Sequence, residues 1–140
     1  SVIKAESAYS LAFILHKKYL YESSNTACFK IKNEYASYEY WVVKTFILIA
    51  DNYVLLDNVF QAKATLQSIV DNYIGDQELM QEAKDKLAQI KEEELVKVLE
   101  EHDLIESNYK IISDGYHHSV EELTIHNISE GFLLYEKLSI

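Results

Sequence analysis

The sequence contains no proline, no arginine, three glycines and one cysteine. So few glycines, and no proline, leave little material for turns that need a positive φ or a fixed bend, which argues against a glycine-rich phosphate loop or a β-sandwich. Without any guanidinium group, and with a formal net charge of −10, the chain lacks the usual means of contacting nucleic acid. We therefore expect helices joined by short turns, and no binding of DNA or RNA.

Disulfides, structural zinc sites and membrane spans are also not expected. Cys28 has no second cysteine to pair with, and no cysteine and histidine spacing matches a structural zinc site. No apolar run approaches the roughly 20 residues that cross a bilayer. The first residues, Ser1-Val2-Ile3-Lys4, do not resemble a signal peptide, so we expect a fragment or a processed chain.

The chain has the length and apolar content for one compact core, with an uneven charge. It has 140 residues, of which 49% are hydrophobic. Residues 1–74 hold seven lysines and seven acidic residues, whereas residues 75–140 hold six lysines and sixteen acidic residues. We expect residues 1–91 to form helical repeats and residues 92–140 to form an acidic helical extension or cap.

Hydrophobic periodicity predicts a succession of helices in the first part of the chain. Leu11 is expected on the buried face of the first helix and Phe60 on that of the fourth. Asp57-Asn58 is expected to form a turn, Gly75 to cap the fourth helix and Asp76 to cap the start of the fifth. The predicted helices cover about residues 5–18, 22–33, 38–56, 59–73 and 76–91, the last either ending there or continuing through Leu99.

Beyond residue 92 the periodicity becomes weaker. Apolar residues from Leu95 to Ile105 indicate one more helix that extends or caps the preceding helices. Ser113-Asp114-Gly115 predicts a turn, and a capping box at Ser119 predicts a short helix to about Asn127. Gly131 to Ile140 fits either a strand or a helix, and the context favours a helix.

An internal repeat relates two segments 38 residues apart. Residues 11–15 align with residues 49–53, and within each segment a small residue precedes a second small residue by twelve positions. The pairs are Ala12 with Ser24, and Ala50 with Ala62. Small side chains at this spacing allow two antiparallel helices to approach closely, while large neighbours fill the space around them.

These residues resemble the tetratricopeptide repeat, a helix-turn-helix unit of 34 residues. The best-fitting unit has Phe46, Ile49-Ala50, Tyr53, the Asp57-Asn58 turn and Ala62, and a further first helix is suggested by Ala83 and Leu87. The segment from Tyr40-Trp41 to Ile69 is similar to the C-terminal repeats of such proteins in Bacteroidetes-type bacteria. The resemblance implies an all-α, α-solenoid fold with a C-terminal helical cap and, for some members, a periplasmic or envelope location.

The resemblance also implies a function and a site. Tetratricopeptide arrays bind a peptide or a partner subunit in a concave face lined by the first helix of each unit. The alternative is a purely structural or oligomerising segment of a larger envelope protein, in which neighbouring repeats stack on Leu11 and Phe13 or the chain forms a homo-oligomer. The residues carried over to the binding face are Tyr9, Phe13, His16, Lys17, Lys44, Ile47, Asp51 and Val54, with Glu6 and Leu55 beside them.

Catalytic and metal-binding patterns are weak. The sequence has no nucleophile elbow, Walker loop or dinucleotide fingerprint, so neither an enzyme nor a cofactor is expected. Cys28 is predicted to be a buried and inert thiol. His102 is expected at the boundary of an apolar stripe. A metal-binding accessory domain is the remaining alternative, and its candidate ligands are His117, His118, Glu122 and His126.

Overall fold

The computed structural model describes residues 1–112, with side chains as far as Glu106. This part of the chain is 86% helical and has no strand, which confirms the expectation of an all-α fold for these residues. The turn, the short helix and the ambiguous segment predicted between Ser113 and Ile140 lie outside the described residues. The helices are α1 (Val2–Lys17), α2 (Tyr21–Glu34), α3 (Glu39–Leu55), α4 (Val59–Asn72) and α5 (Gln77–Ile112).

The first four helices begin and end within three residues of the predicted bounds, and α5 continues past residue 91 without a break. The predicted cap at Asp76 is confirmed, and Asn58, which was predicted only as part of a turn, caps the start of α4. The Asn58 side chain accepts a hydrogen bond from the Gln61 N–H (3.3 Å), and Asp76 Oδ1 accepts one from the Leu79 N–H (2.9 Å). Each bond satisfies one of the free backbone donors at a helix N-terminus.

Two residues adopt the left-handed conformation although neither is glycine. Tyr19 has φ 64° and Asp57 has φ 58°, and they follow α1 and α3 at positions 38 residues apart. Glycine is usual at such a position because a Cβ atom is crowded there. The scarcity of glycine therefore did not prevent turns with positive φ.

The hydrogen bonds of these two turns are the same. After α1, the Leu20 N–H donates to the Leu15 carbonyl and the Tyr19 N–H to the His16 carbonyl, both at 3.0 Å. These two bonds define a Schellman motif. After α3, the matching bonds run from Asn58 to Tyr53 (2.7 Å) and from Asp57 to Val54 (3.1 Å).

Gly75 does not cap α4 as predicted. The helix ends at Asn72, and its C-cap residue Tyr73 is extended, with φ −80° and ψ 128°. The Tyr73 ring instead lies against Gly75, where a Cβ atom would be 2.5 Å from the phenol oxygen. That oxygen accepts a hydrogen bond from the Asp76 N–H (2.8 Å), so glycine is required here for a close approach rather than for a positive φ.

Contacts between successive helices bury the small residues of the internal repeat. Helix α1 packs against α2 and α3, α2 packs against α3, and α3 packs against α4. Ala12, Ser24, Ala50 and Ala62 are all buried. The Ser24 hydroxyl donates to the Ala12 carbonyl (2.8 Å), so α1 and α2 touch at their two small residues.

Two large side chains that were predicted to be buried are exposed. Phe60 is 74% exposed because it lies on the opposite side of α4 from its buried residues Ala62 and Leu66. Leu11 is also exposed, since it lies beside Ala12 on a face of α1 that no described helix covers. Leu11 is thus adjacent to the buried stripe of its helix but not part of it, whereas Phe60 lies across its helix from that stripe.

The described residues fall into two compact units, Ser1–Ala88 and a second that begins at Gln89. The first contains α1 to α4 and the beginning of α5, and its core includes Ala12, Cys28, Ile31, Leu48 and Ile49. Among the helices described between residues 1 and 112, none combines the length and apolar character needed to cross a membrane.

Candidate functional site

One surface of the first unit combines aromatic rings with lysine ammonium groups. Its residues come from α1 and α3, two helices that contact each other. Side chains three or four positions apart share one face of a helix, which is why each helix contributes several of them. We call this the aromatic–lysine surface, and its members are Tyr9, Phe13, His16 and Lys17 from α1, and Tyr40, Trp41 and Lys44 from α3.

Ring contacts connect the two helices. The Tyr9 ring centroid lies 5.6 Å from that of Trp41 on α3 and 6.2 Å from that of Phe13 on its own helix. Tyr40 meets Trp41 edge to face at 5.2 Å, and Phe13 stacks on His16 at 6.1 Å. Such distances are within the range of attractive aromatic pairs, so the rings support one another in a continuous layer.

Lysine side chains lie over these rings. Lys44 Nζ is 5.3 Å from the centroid of Tyr9, 5.8 Å from that of Tyr40 and 5.5 Å from that of Trp41. On α1, Lys17 Nζ is 5.2 Å from the Phe13 ring. A cation within about 6 Å of an aromatic face is attracted to it. The positive charges are therefore held against the aromatic layer.

The Tyr9 phenol is neutral at physiological pH. Burial raises its pKa to about 12, and the carboxylate of Glu82 on α5 acts in the same direction. Both effects disfavour the phenolate, the first by desolvation and the second by repulsion. Tyr9 therefore contributes an uncharged ring and hydroxyl to the surface.

The structure brings five of the residues carried over from the resemblance into this surface and places the others elsewhere. Ile47 is buried, so it supports α3 from inside and is not accessible to a partner. Asp51 accepts two hydrogen bonds of 3.0 Å from Lys86 Nζ on α5, which neutralises its charge locally. Val54 is half-buried. The residues brought together are Tyr9, Phe13, His16, Lys17 and Lys44.

A buried polar network lies behind His16. Asn52 is fully buried on α3, and its Oδ1 lies 2.7 Å from His16 Nδ1. Its Nδ2 donates to Ser24 Oγ and to Asn25 Oδ1, both at 2.9 Å and both on α2. Three helices are thus joined through one side-chain amide, whose polar atoms are all paired as burial requires.

Asn52 and Trp41 were not predicted from the sequence as residues of this site. An asparagine inside the most apolar helix was a signal for Asn52, because a buried amide requires partners on neighbouring helices. For Trp41 the signal was its position three residues before Lys44, which puts both side chains on one helix face. Neither signal identifies the residues of neighbouring helices that contact Asn52 and Trp41, because those residues lie on α1 and α2.

Cys28 is buried, as predicted. Burial raises the pKa of its thiol to about 12, although the Ser24 hydroxyl acts in the opposite direction. At physiological pH the side chain is therefore a thiol and not a thiolate, the form that acts as a nucleophile. The neighbouring core residues Ala12, Ile31 and Ile49 give it an apolar environment.

Three residues of the second unit form a small titratable cluster. His102, Asp103 and Glu106 each place one ligand-type atom within 4.8 Å of the others. His102 is buried rather than at a boundary, and its Nε2 has no hydrogen-bond partner among the described residues. The metal candidates His117, His118, Glu122 and His126 lie outside the described residues.

A shallow apolar cavity lies between α1 and α2, lined by residues outside the aromatic–lysine surface. Its volume is about 290 Å³. Leu11 contributes to it from α1, and Ala27 and Lys30 contribute from α2. It contains the exposed Leu11 that was expected to be buried.

Comparisons of this chain with protein-family models, with curated proteins and with solved structures find no match.

Proposed function

We propose that this chain is a non-catalytic protein-interaction module whose aromatic–lysine surface binds a peptide segment of a partner. The observation that carries this proposal is the sharing of rings and ammonium groups between two helices, with Phe13 38% and Tyr40 41% exposed. Aromatic residues are enriched in protein interfaces because they combine large contact areas with few rotatable bonds.

The proposal includes a tetratricopeptide-like arrangement of α1 to α4 as two helix pairs. The identical turns after α1 and α3, and the burial of the small residues 38 positions apart, support this relationship. In such an arrangement the first helix of each pair lines the binding face. The helices that contribute to the aromatic–lysine surface, α1 and α3, are the first helices of the two pairs.

The chemistry of the surface selects a class of partner. Rings of Phe13, Tyr40 and Trp41 offer apolar contact, and the ammonium groups of Lys17 and Lys44 attract carboxylates. Asp51, the acidic residue carried over to this face, is already paired with Lys86. The fitting partner is therefore a peptide that combines aromatic or aliphatic side chains with acidic ones.

Selection from a random peptide library displayed on phage tests the proposal. The enriched peptides should carry apolar and acidic residues, and Phe13→Ala should weaken their binding about tenfold, the effect of removing one interface anchor. Lys17→Glu should weaken acidic peptides further by reversing a charge. Phe60→Ala is the matched control, since it removes an exposed ring from α4. Unchanged binding to Phe13→Ala, or no enrichment of peptides, contradicts the proposal.

A structural, oligomerising role is the second candidate function, and a different face supports it. Leu11 and Ile14 are exposed on α1, and Leu11 lines the cavity between α1 and α2. A second copy of this chain that covered this face would remove both side chains from water. Sedimentation at increasing protein concentration should then show a dimer that Leu11→Glu abolishes. A monomer at all concentrations rejects this role.

A further inference from the structure

The hydrogen bond between His16 and Asn52 has consequences for the chemistry of the aromatic–lysine surface. Asn52 Oδ1 can only accept a hydrogen bond, so at 2.7 Å the proton between the two residues belongs to His16 Nδ1. This requires a particular tautomer if the amide orientation is itself fixed, because a rotated amide would present a donor to the ring instead.

The buried network fixes that orientation. Ser24 donates its only hydroxyl hydrogen to the Ala12 carbonyl, so Ser24 Oγ can only accept from Asn52. Asn25 Oδ1 accepts a second bond from the same Asn52 nitrogen. Rotating the Asn52 amide would place its oxygen against Ser24 Oγ, which has no second hydrogen to donate, and would exchange that hydrogen bond for a repulsive contact.

From this geometry we infer that Asn52 selects the Nδ1–H tautomer of the neutral His16 side chain, and that in this form His16 Nε2 is a fixed hydrogen-bond acceptor for an aromatic donor of the bound peptide. The two ring nitrogens point to nearly opposite sides of the imidazole, so Nε2 faces away from the buried amide. Among residues 1–106 no hydrogen-bond partner is present for Nε2, and it is not one of the buried unsatisfied atoms.

The rings around His16 determine what kind of donor fits. Phe13 stacks on the imidazole at 6.1 Å, and the Tyr21 ring lies 5.6 Å from it in a tilted arrangement. A tryptophan or tyrosine side chain can stack in such surroundings while its N–H or O–H donates to Nε2. This binding step rests on the proposed function, whereas the tautomer is a property of the free protein.

Nuclear magnetic resonance of the free chain, labelled with ¹⁵N in histidine, tests the tautomer. The Nδ1 resonance of His16, identified by its loss in His16→Gln, should have the shift of a protonated nitrogen, and Nε2 that of an unprotonated one. Asn52→Ala should reverse the two shifts, because the free side chain prefers the Nε2–H form. Asn72→Ala, which removes an exposed asparagine, is the matched control. A wild-type Nε2–H tautomer overturns the inference whether or not the variants fold.

Titration with indole and with 1-methylindole tests the binding step on the same sample. The two molecules have the same ring system, but only indole has an N–H donor. Indole should shift the Nε2 resonance and bind about fivefold more tightly, the gain of one hydrogen bond. Equal effects of both molecules overturn the acceptor role of Nε2. Because the phage selection does not depend on this tautomer, the inference and the proposed function can fail separately.

Discussion

The helix pairs α1–α2 and α3–α4 have related sequences, yet two matching positions have opposite environments. Leu11 is 59% exposed, whereas its counterpart Ile49 is 2% exposed. Ile14 is 49% exposed, whereas its counterpart Asn52 is fully buried. At these two positions the first pair exposes apolar side chains, whereas the second pair buries the apolar Ile49 and the polar Asn52.

Other matching positions are alike. Cys28 and Leu66 are both buried, as are Ile31 and Ile69. Each of these residues lies on the second helix of its pair, and Cys28 and Ile31 also share a core cluster with Leu48 and Ile49 of α3. The positions that differ face a neighbouring pair. For the second pair the neighbour is α1–α2, and among the described residues no neighbour covers the corresponding face of α1.

Replacing Leu11 and Ile49 by alanine should give the largest difference between the two pairs in the free energy of unfolding. Ile49→Ala should lower the free energy of unfolding by about 4 kcal/mol, because it leaves a cavity in a packed core. Leu11→Ala should lower it by about 0.5 kcal/mol or less, since the side chain is already in solvent. Urea denaturation measures both. Similar losses at the two positions would mean that Leu11 is also covered.

Substitutions at the matching positions Ile14 and Asn52 test the buried network. Asn52→Ile should cost about 3 kcal/mol, because His16 and Asn25 then lose their partner inside the protein. Ile14→Asn should change stability by about 0.5 kcal/mol or less. If Asn52→Ile were as stable as the wild type, the network would not contribute to the packing of the two pairs.

Cys28 and Leu66 occupy matching positions, but only the cysteine titrates in alkaline solution. The pKa of Cys28 is raised from 9.0 to about 12 in the folded state, so the thiol form is favoured by folding. That contribution is complete below pH 9 and is lost as the pH rises toward 12. At about pH 10.5 it should be reduced by about 2 kcal/mol.

Cys28→Ala is the control for this effect, because it removes the titrating thiol and keeps the Tyr9 phenol, whose pKa is raised mainly by burial. The stability advantage of the wild type over this variant should shrink by about 2 kcal/mol between about pH 7 and about pH 10.5. Thermal or urea unfolding at the two pH values gives the comparison. An advantage that is independent of pH would show that the thiol is not shielded from water.

The two matching turns should show the smallest effect. Tyr19 and Asp57 have the same left-handed conformation, but a tyrosine side chain tolerates it less well than aspartate. Tyr19→Gly should raise the free energy of unfolding by about 0.5–1 kcal/mol, and Asp57→Gly should raise it by less. A loss of stability in Tyr19→Gly would indicate that its side chain contributes more than the backbone strain costs.

The sequence was sufficient to predict features that depend on local pattern. The helices, the Asp76 cap and the burial of Ala12 and Cys28 follow from periodicity and residue type. Leu11 and Phe60 were assigned wrongly because apolar character alone does not show which face of a helix its neighbours cover. The same limit applies to the candidate site, whose residues come from two different helices.

Residues of the site were predictable only one helix at a time. Phe13 and Lys44 were predicted through the resemblance to a repeat family, in which the first helix of each unit lines the binding face. Asn52 and Trp41 were missed because their roles depend on contacts with another helix, His16 for the first and Tyr9 for the second. Contacts between distant segments are set by packing and are not encoded in the spacing of one segment.

Trp41 offers the most direct test of whether the aromatic–lysine surface binds a partner, because it is the only tryptophan of the chain. A peptide selected on the full chain should change the emission of Trp41 with saturation and protect it from quenching by acrylamide. The Leu11→Glu variant should show the same response, since it alters the other face of α1. A peptide that binds without affecting Trp41, but is released by Leu11→Glu, would contradict the proposed site.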